Sequence, residues 1–190
     1  MSTSTTSTST TASITTDVAS TALAWSLALA AVAAGALLIN RLVAFTIVVR
    51  SESMRPAFEP GDLLLTTRVH DPARLRRGDV VVFRSRERGG TLVKRLVGLP
   101  GDRVEFVAGG ATVLNGERLA EPYARHSGAY RGTFVVPDGG HLFLGDNRGA
   151  SDDARSWAHP YVDGRDILGV VRLRLFPIRA RRAHLRSVDA

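Results

Sequence analysis

Hydrophobic and polar positions along the chain follow three successive patterns. Residues 1–16 are almost entirely Ser and Thr, without side-chain charge or apolar periodicity. Such a stretch buries too little to offset the entropy of ordering and is expected to be disordered. From Val18 to Asn40 there are 23 residues without a charge, a helix of about 34 Å, long enough for a hydrocarbon core of about 30 Å. Its alanine-rich run ALAWSLALAAVAAGALLI has neither the basic leader of an export signal nor the polar stripe of a soluble helix. The expectation is one transmembrane helix.

After it the pattern changes to short runs of Val, Leu and Phe broken by Gly, Pro and Asp, which predict strands. They cover 43–49, 62–69, 79–84, 91–97, 103–107, 112–114, 133–136, 141–144 and 167–176. In the last, Val171, Leu173 and Leu175 alternate with Arg172 and Arg174, as in a strand wet on one face. Ala108, Gly109 and Gly110 predict a hairpin turn, Pro100 and Gly101 a corner, and Glu121 to Gly132 a floppy polar insert. The fold class is mainly β. The domains read as a disordered tail over 1–17, an anchor over 18–41, a catalytic domain over 42–178 and a basic tail over 179–190.

The 190 residues, 44% of them hydrophobic, suit one ordinary domain with appendages. Zero cysteines exclude a disulfide framework, a thiolate metal site and a cysteine nucleophile. The net charge of +7 suits an anionic lipid surface, and no recognised motif joins it to a specific nucleic-acid partner. His70, His126, His141, His159 and His184 lack metal-ligand spacing, so no metal or other cofactor is expected.

The chemistry rests on Ser53, in RSESMRP, and Lys94, in LVKRLVGLPGD. A serine hydroxyl becomes a nucleophile when a base takes its proton, and a neutral lysine can be that base. With a pKa near 10.4 an exposed lysine is neutral about once in 2,500 molecules at pH 7, a penalty of about 4.6 kcal/mol. Lowering the pKa to about 8 takes about 3.3 kcal/mol of ammonium destabilisation, within reach of burial. Alternation on a strand puts Leu92, Lys94 and Leu96 on one face, an apolar setting for the amine. There is no GxSxG, SxxK, HExxH or P-loop to suggest another centre.

Three segments together resemble the bacterial type I signal peptidases: SESMRP at 51–56, KRLVGLPGD at 94–102 and GDNRGASDDAR at 145–155. The resemblance covers most of the chain from the anchor to about Phe176. It implies a serine endopeptidase with Ser53 as nucleophile, Lys94 as general base and Ser51 as an oxyanion donor. It also implies that Ser151 orients the amine, that Asp146 pairs with Arg95 and Asp153 with Arg155, and that Asn147 supports the site. Gly149, Ala150 and Ala154 stand where more polar residues are usual, which affects loop polarity rather than the matched positions.

The partners implied are signal peptides of secretory preproteins, cut after small residues at positions one and three before the scissile bond, and a phospholipid membrane. Met54, Ala57 and Phe58 offer a surface for lipid contact, with Met54 also a wall of the substrate pocket. The expected state is a single-pass monomer in the cytoplasmic membrane with an extracytoplasmic catalytic domain. Charge bias alone opposes that orientation, because Arg41, Arg50 and Arg55 flank the anchor on the catalytic side. Two alternatives share some of these features: the self-cleaving serine-lysine domain of SOS-response repressors, and an inactive anchored binding module.

Overall fold

The computed structural model describes residues 9–125 and 130–177; the basic tail expected at 179–190, residues 1–8 and part of the expected insert lie outside the described residues. The charge-free segment lies within helix α1, Ser9–Leu42, which has Arg41 in its last turn, where a cation complements the helix dipole. The helix starts ahead of the expected boundary at Val18, so residues 9–17 are helical rather than disordered. Nucleation is the costly step of helix formation, and each Ser or Thr added to an existing helix costs at most about 0.7 kcal/mol relative to alanine. Thr21–Leu42 is long and apolar enough to cross a membrane. Helix and strands form separate compact units, the boundary falling after Val43.

The described strands are β1 Ala44–Val48, β2 Asp62–Arg68, β3 Val80–Arg84, β4 Thr91–Gly98, β5 Arg103–Phe106, β6 Thr112–Leu114, β7 Glu117–Arg118, β8 Gly132–Val135, β9 Gly140–Leu144, β10 Tyr161–Asp163 and β11 Ile167–Pro177. Every expected strand is present within one residue at either end, which makes the fold mainly β with one N-terminal apolar helix. The two unexpected strands, β7 and β10, are too short to show an apolar period and form by pairing with β6 and β9. A seven-stranded antiparallel sheet runs β1-β2-β11-β3-β4-β9-β10, and a four-stranded one runs β7-β6-β5-β8.

The core gathers where these sheets pack. Strands β3 and β9 are buried along almost their whole length, and Phe83 stacks on Phe143 with centroids 4.6 Å apart while Trp157 meets Phe83 edge-on at 6.3 Å. Gly98 lets β4 approach its neighbours closely: a Cβ there would lie 2.8 Å from a Val136 methyl, 3.0 Å from the Leu142 Cβ on β9 and 3.2 Å from a Val104 methyl on β5 of the smaller sheet. Strand β4, which carries Lys94, is thereby packed tightly at its C-terminal end.

Strand β11 departs from its expected alternation. Its pairing with β2 is interrupted between Val171 and Leu173 and between Arg174 and Phe176, and Leu173 and Leu175 remain 59% and 40% exposed. A bulge shifts side chains relative to the pleat, so period-2 reasoning fails there.

His141 on β9 is buried, its Nδ1 has no hydrogen-bond partner among the described residues, and burial holds its pKa below the ordinary 6.5. The unfolded chain binds a proton near pH 6.5 while the folded chain resists it until lower pH, so His141 drains stability as pH falls through that interval. Urea titrations of the wild type and His141→Leu should show a shallower loss for the variant from pH 6.5 downwards. Parallel curves would refute this role.

Candidate active site

The turn after β1 is tied at its ends by Val49 N–H to Asp62 O (2.9 Å) and Gly61 N–H to Val49 O (2.8 Å). Inside it, a 3-10 turn at Glu52–Met54 buries Ser53 and Met54. The Asn147 amide donates to the Ser53 carbonyl at 3.0 Å and its side-chain amide to the Glu52 carbonyl at 3.3 Å, which pins this turn to the loop after β9. The Ser51 and Ser53 hydroxyl oxygens lie 3.2 Å apart. Met54 is 1% exposed and lines the adjoining cleft. So little exposed a side chain is unavailable for the lipid contact expected of it.

Lys94 is 3% exposed on β4, and its Nζ donates to Ser151 Oγ at 2.9 Å. Leu96 on the same face is fully buried. Burial pushes the Lys94 pKa down from 10.5 to about 8, with Asp153 opposing, Arg155 assisting and Asp146 opposing. All but one of the 25 basic Lys and Arg residues are arginine, and the single lysine of the chain is this one. Ser53 and Lys94 line one cleft of about 550 Å³ together with Thr46 to Val49 and Thr91 to Val93. Among the described residues no hydrogen bond joins the amine to the Ser53 hydroxyl: each is held by a different serine.

The loop after β9 carries the remaining expected residues. Arg95, next to Lys94 on the opposite face of β4, grips Asp146 through Nε at 2.8 Å and Nη2 at 2.6 Å, and donates to Gly78 O at 2.8 Å. Asp153 accepts from the Gly145 amide at 2.9 Å and from Arg155 at 2.8 and 2.9 Å. Burial works against the Asp153 carboxylate, but the Arg155 guanidinium and the Gly145 amide hold its pKa below the ordinary range. Gly145 is required by space: a Cβ there would lie 2.1 Å from Ser151 Oγ and 2.6 Å from the Ser53 carbonyl oxygen.

The structure therefore brings Ser51, Ser53, Lys94, Arg95, Asp146, Asn147, Ser151, Asp153 and Arg155 together from three distant stretches of chain. Other members of the cluster were not legible as such. Glu121, expected in a floppy insert, is buried and ion-paired with Arg148, and Tyr123 stacks under Arg95 with the guanidinium 4.0 Å from the ring centroid. Polar residues flanking Pro122 carry no periodic signal, and only a partner distant in sequence reveals their burial.

Residues 21–176 match the family described as Signal peptidase, peptidase S26. The chain belongs to this signal peptidase family. Signal peptidase I of Bacillus caldolyticus is 34% identical over 148 residues, covering 70% of this chain and 79% of that protein. Signal peptidase IB of Staphylococcus aureus strain COL is 29% identical over 175 residues, covering 82% and 90%. A crystal structure of a signal peptidase I from Enterococcus faecalis V583 is 30% identical, with a TM-score of 0.46 over 52% of this chain and 97% of that one. The enzyme class is thus signal peptidase I, a serine peptidase, and the resemblance in the three segments carries through to family membership.

Two outcomes follow for this peptidase cluster. Gly145→Ala should lower kcat by about 10²-fold, the order of loss expected from displacing reacting groups by an ångström; near-normal kcat would show that the loop has room. Folding the buried amine is costly below pH 8, because the folded pKa of about 8 lies below 10.5. That penalty is complete below pH 8 and vanishes as pH rises to 10.5. Lys94→Met should therefore be more stable than wild type at pH 7 by up to about 3 kcal/mol, with the gain fading towards pH 10.5 in chemical denaturation; a variant less stable at pH 7 would contradict the burial cost.

Proposed function

We propose that the chain is a membrane-anchored endopeptidase that removes signal peptides from exported preproteins with a Ser53–Lys94 dyad. The observation that carries the reading is the chain's single lysine, dehydrated to a pKa of about 8 and lining one cleft with a buried serine. The neutral amine takes the Ser53 proton as Oγ attacks the scissile carbonyl. The Ser53 amide and the Ser51 hydroxyl stabilise the oxyanion, each a donor of the kind worth about 3–4 kcal/mol. The ammonium then protonates the departing amine of the mature protein, leaving an acyl-enzyme. Water loses a proton to the same amine, attacks the ester and frees the signal peptide as a carboxylate while Ser53 recovers its hydrogen.

Ser151 orients the amine through its 2.9 Å bond, and the Arg95–Asp146 and Arg155–Asp153 pairs support the base in place. Sheet pairing supports an extended substrate. Among the described residues strand β1 is an edge of its sheet, and β4 pairs with β9 only from Arg95 onwards, so Thr91 to Lys94 have one side without a strand partner there. A peptide entering the cleft between these edges would gain main-chain hydrogen bonds from either wall. We further propose the organisation of a tail over 1–17, an anchor over 18–41, a catalytic domain over 42–178 and a basic tail over 179–190. The chain spans the cytoplasmic membrane once as a monomer with the catalytic domain outside, and small residues one and three positions before the cut are preferred.

The test is cleavage of a preprotein whose leader ends in Ala-x-Ala. Wild type should cut it, whereas Ser53→Ala and Lys94→Arg should fold and be inactive, since arginine stays protonated at accessible pH. Because the neutral amine is the active form, kcat/KM should climb about tenfold per pH unit and level off near pH 8. Cleavage by Lys94→Arg at the wild-type rate would end the reading.

A further inference from the structure

Glu121 and Tyr123 lie outside the three segments that mark the family, yet both reach into the frame around Lys94. Arg148 is buried with Glu121: its Nη1 donates to Glu121 Oε2 at 3.0 Å and to Thr112 Oγ1 at 3.2 Å. The same guanidinium donates through Nε to the Gly145 carbonyl at 2.9 Å. Gly145 is the residue whose amide is held by Asp153 and whose missing side chain makes room for Ser151. Tyr123 donates to Glu121 Oε1 at 3.2 Å and lays its ring against Arg95, which holds Asp146. One carboxylate and one ring thus brace Arg148 and Arg95, two of the arginines that fasten the loop after β9.

We propose that Glu121 and Tyr123 are positioning residues for the base, holding the Gly145–Asp153 loop so that Ser151 keeps the Lys94 amine dry and aimed into the cleft. This rests on Lys94 being the base. The charged groups facing the amine are Asp146 and Asp153 on that loop and Arg155 just beyond it, paired to Asp153, so displacement of the loop changes both the hydration and the field at Nζ. A lost ion pair at Glu121 leaves the Arg148 cation buried without its counter-charge, and the arginine then seeks water and pulls on the Gly145 carbonyl. Removal of the Tyr123 ring loosens Arg95 without placing a new charge in the interior.

The measurement compares pH profiles of kcat/KM with direct titration of the amine. Because the chain has a single lysine, ¹⁵N-lysine labelling yields one side-chain amine resonance, whose titration in wild type should coincide with the acid limb of activity. In Glu121→Gln and in Tyr123→Leu, limb and resonance should both move up by about one pH unit, a tenfold loss of kcat/KM at pH 7, with KM little changed. A purely structural loss of folded enzyme would scale the profile at every pH and leave the limb where it was. Tyr123→Phe, which keeps the ring on Arg95, should shift the limb less than Tyr123→Leu. Should Glu121→Gln fail to fold, the half-buried Tyr123 variants decide the matter. Unmoved limbs in the folded variants would overturn the positioning role while the base assignment stands; a wild-type limb that ignores the lysine titration would overturn both.

Discussion

Dehydration of one amine is the constraint around which the catalytic unit is organised. An ammonium whose pKa falls from 10.5 to about 8 costs about 3 kcal/mol in the folded state at neutral pH, a sizeable part of the 5–15 kcal/mol by which domains are stable. The cost is borne by a core in which β3, β9 and the C-terminal half of β4 are almost fully enclosed. Stability surrendered at a reacting group and recovered in packing elsewhere is the usual compromise of an enzyme.

Opposite faces of one strand divide the labour. Lys94 turns to the cleft and Arg95 to the loop, so that the residue beside the buried amine is also the residue that fastens the loop holding it. Period-2 geometry makes this possible with two adjacent residues. Around them the carboxylates Asp146 and Asp153 are fully buried and each is satisfied by an arginine, which is how an interior tolerates ionised groups.

Much of this could be read from the chain alone, for reasons that differ from element to element. Strands such as Val80–Arg84 and Thr91–Gly98 are apolar runs bounded by turn residues, and their local pattern suffices. Strands β7 and β10 have two and three residues, and the partner strand decides them. The bulged end of β11 defeated alternation, because extra residues in a ladder leave no trace in composition. The cluster around Lys94 was legible where residues fall in contiguous boxes. Its outer brace was not, since Glu121 and Tyr123 look like ordinary loop residues until folding sets them against arginines 27 and 28 positions away.

The near-total use of arginine for positive charge has a further effect. Guanidinium groups keep their protons far beyond the pH at which the Lys94 amine is bare. Alkaline surroundings that strip the Lys94 amine of its proton therefore leave the arginine charge as it was, and the positive charge of the chain is decoupled from the ionisation of its one lysine. A lysine-rich chain would lose surface charge and deprotonate such a buried amine over neighbouring pH ranges; in this chain the two properties vary independently.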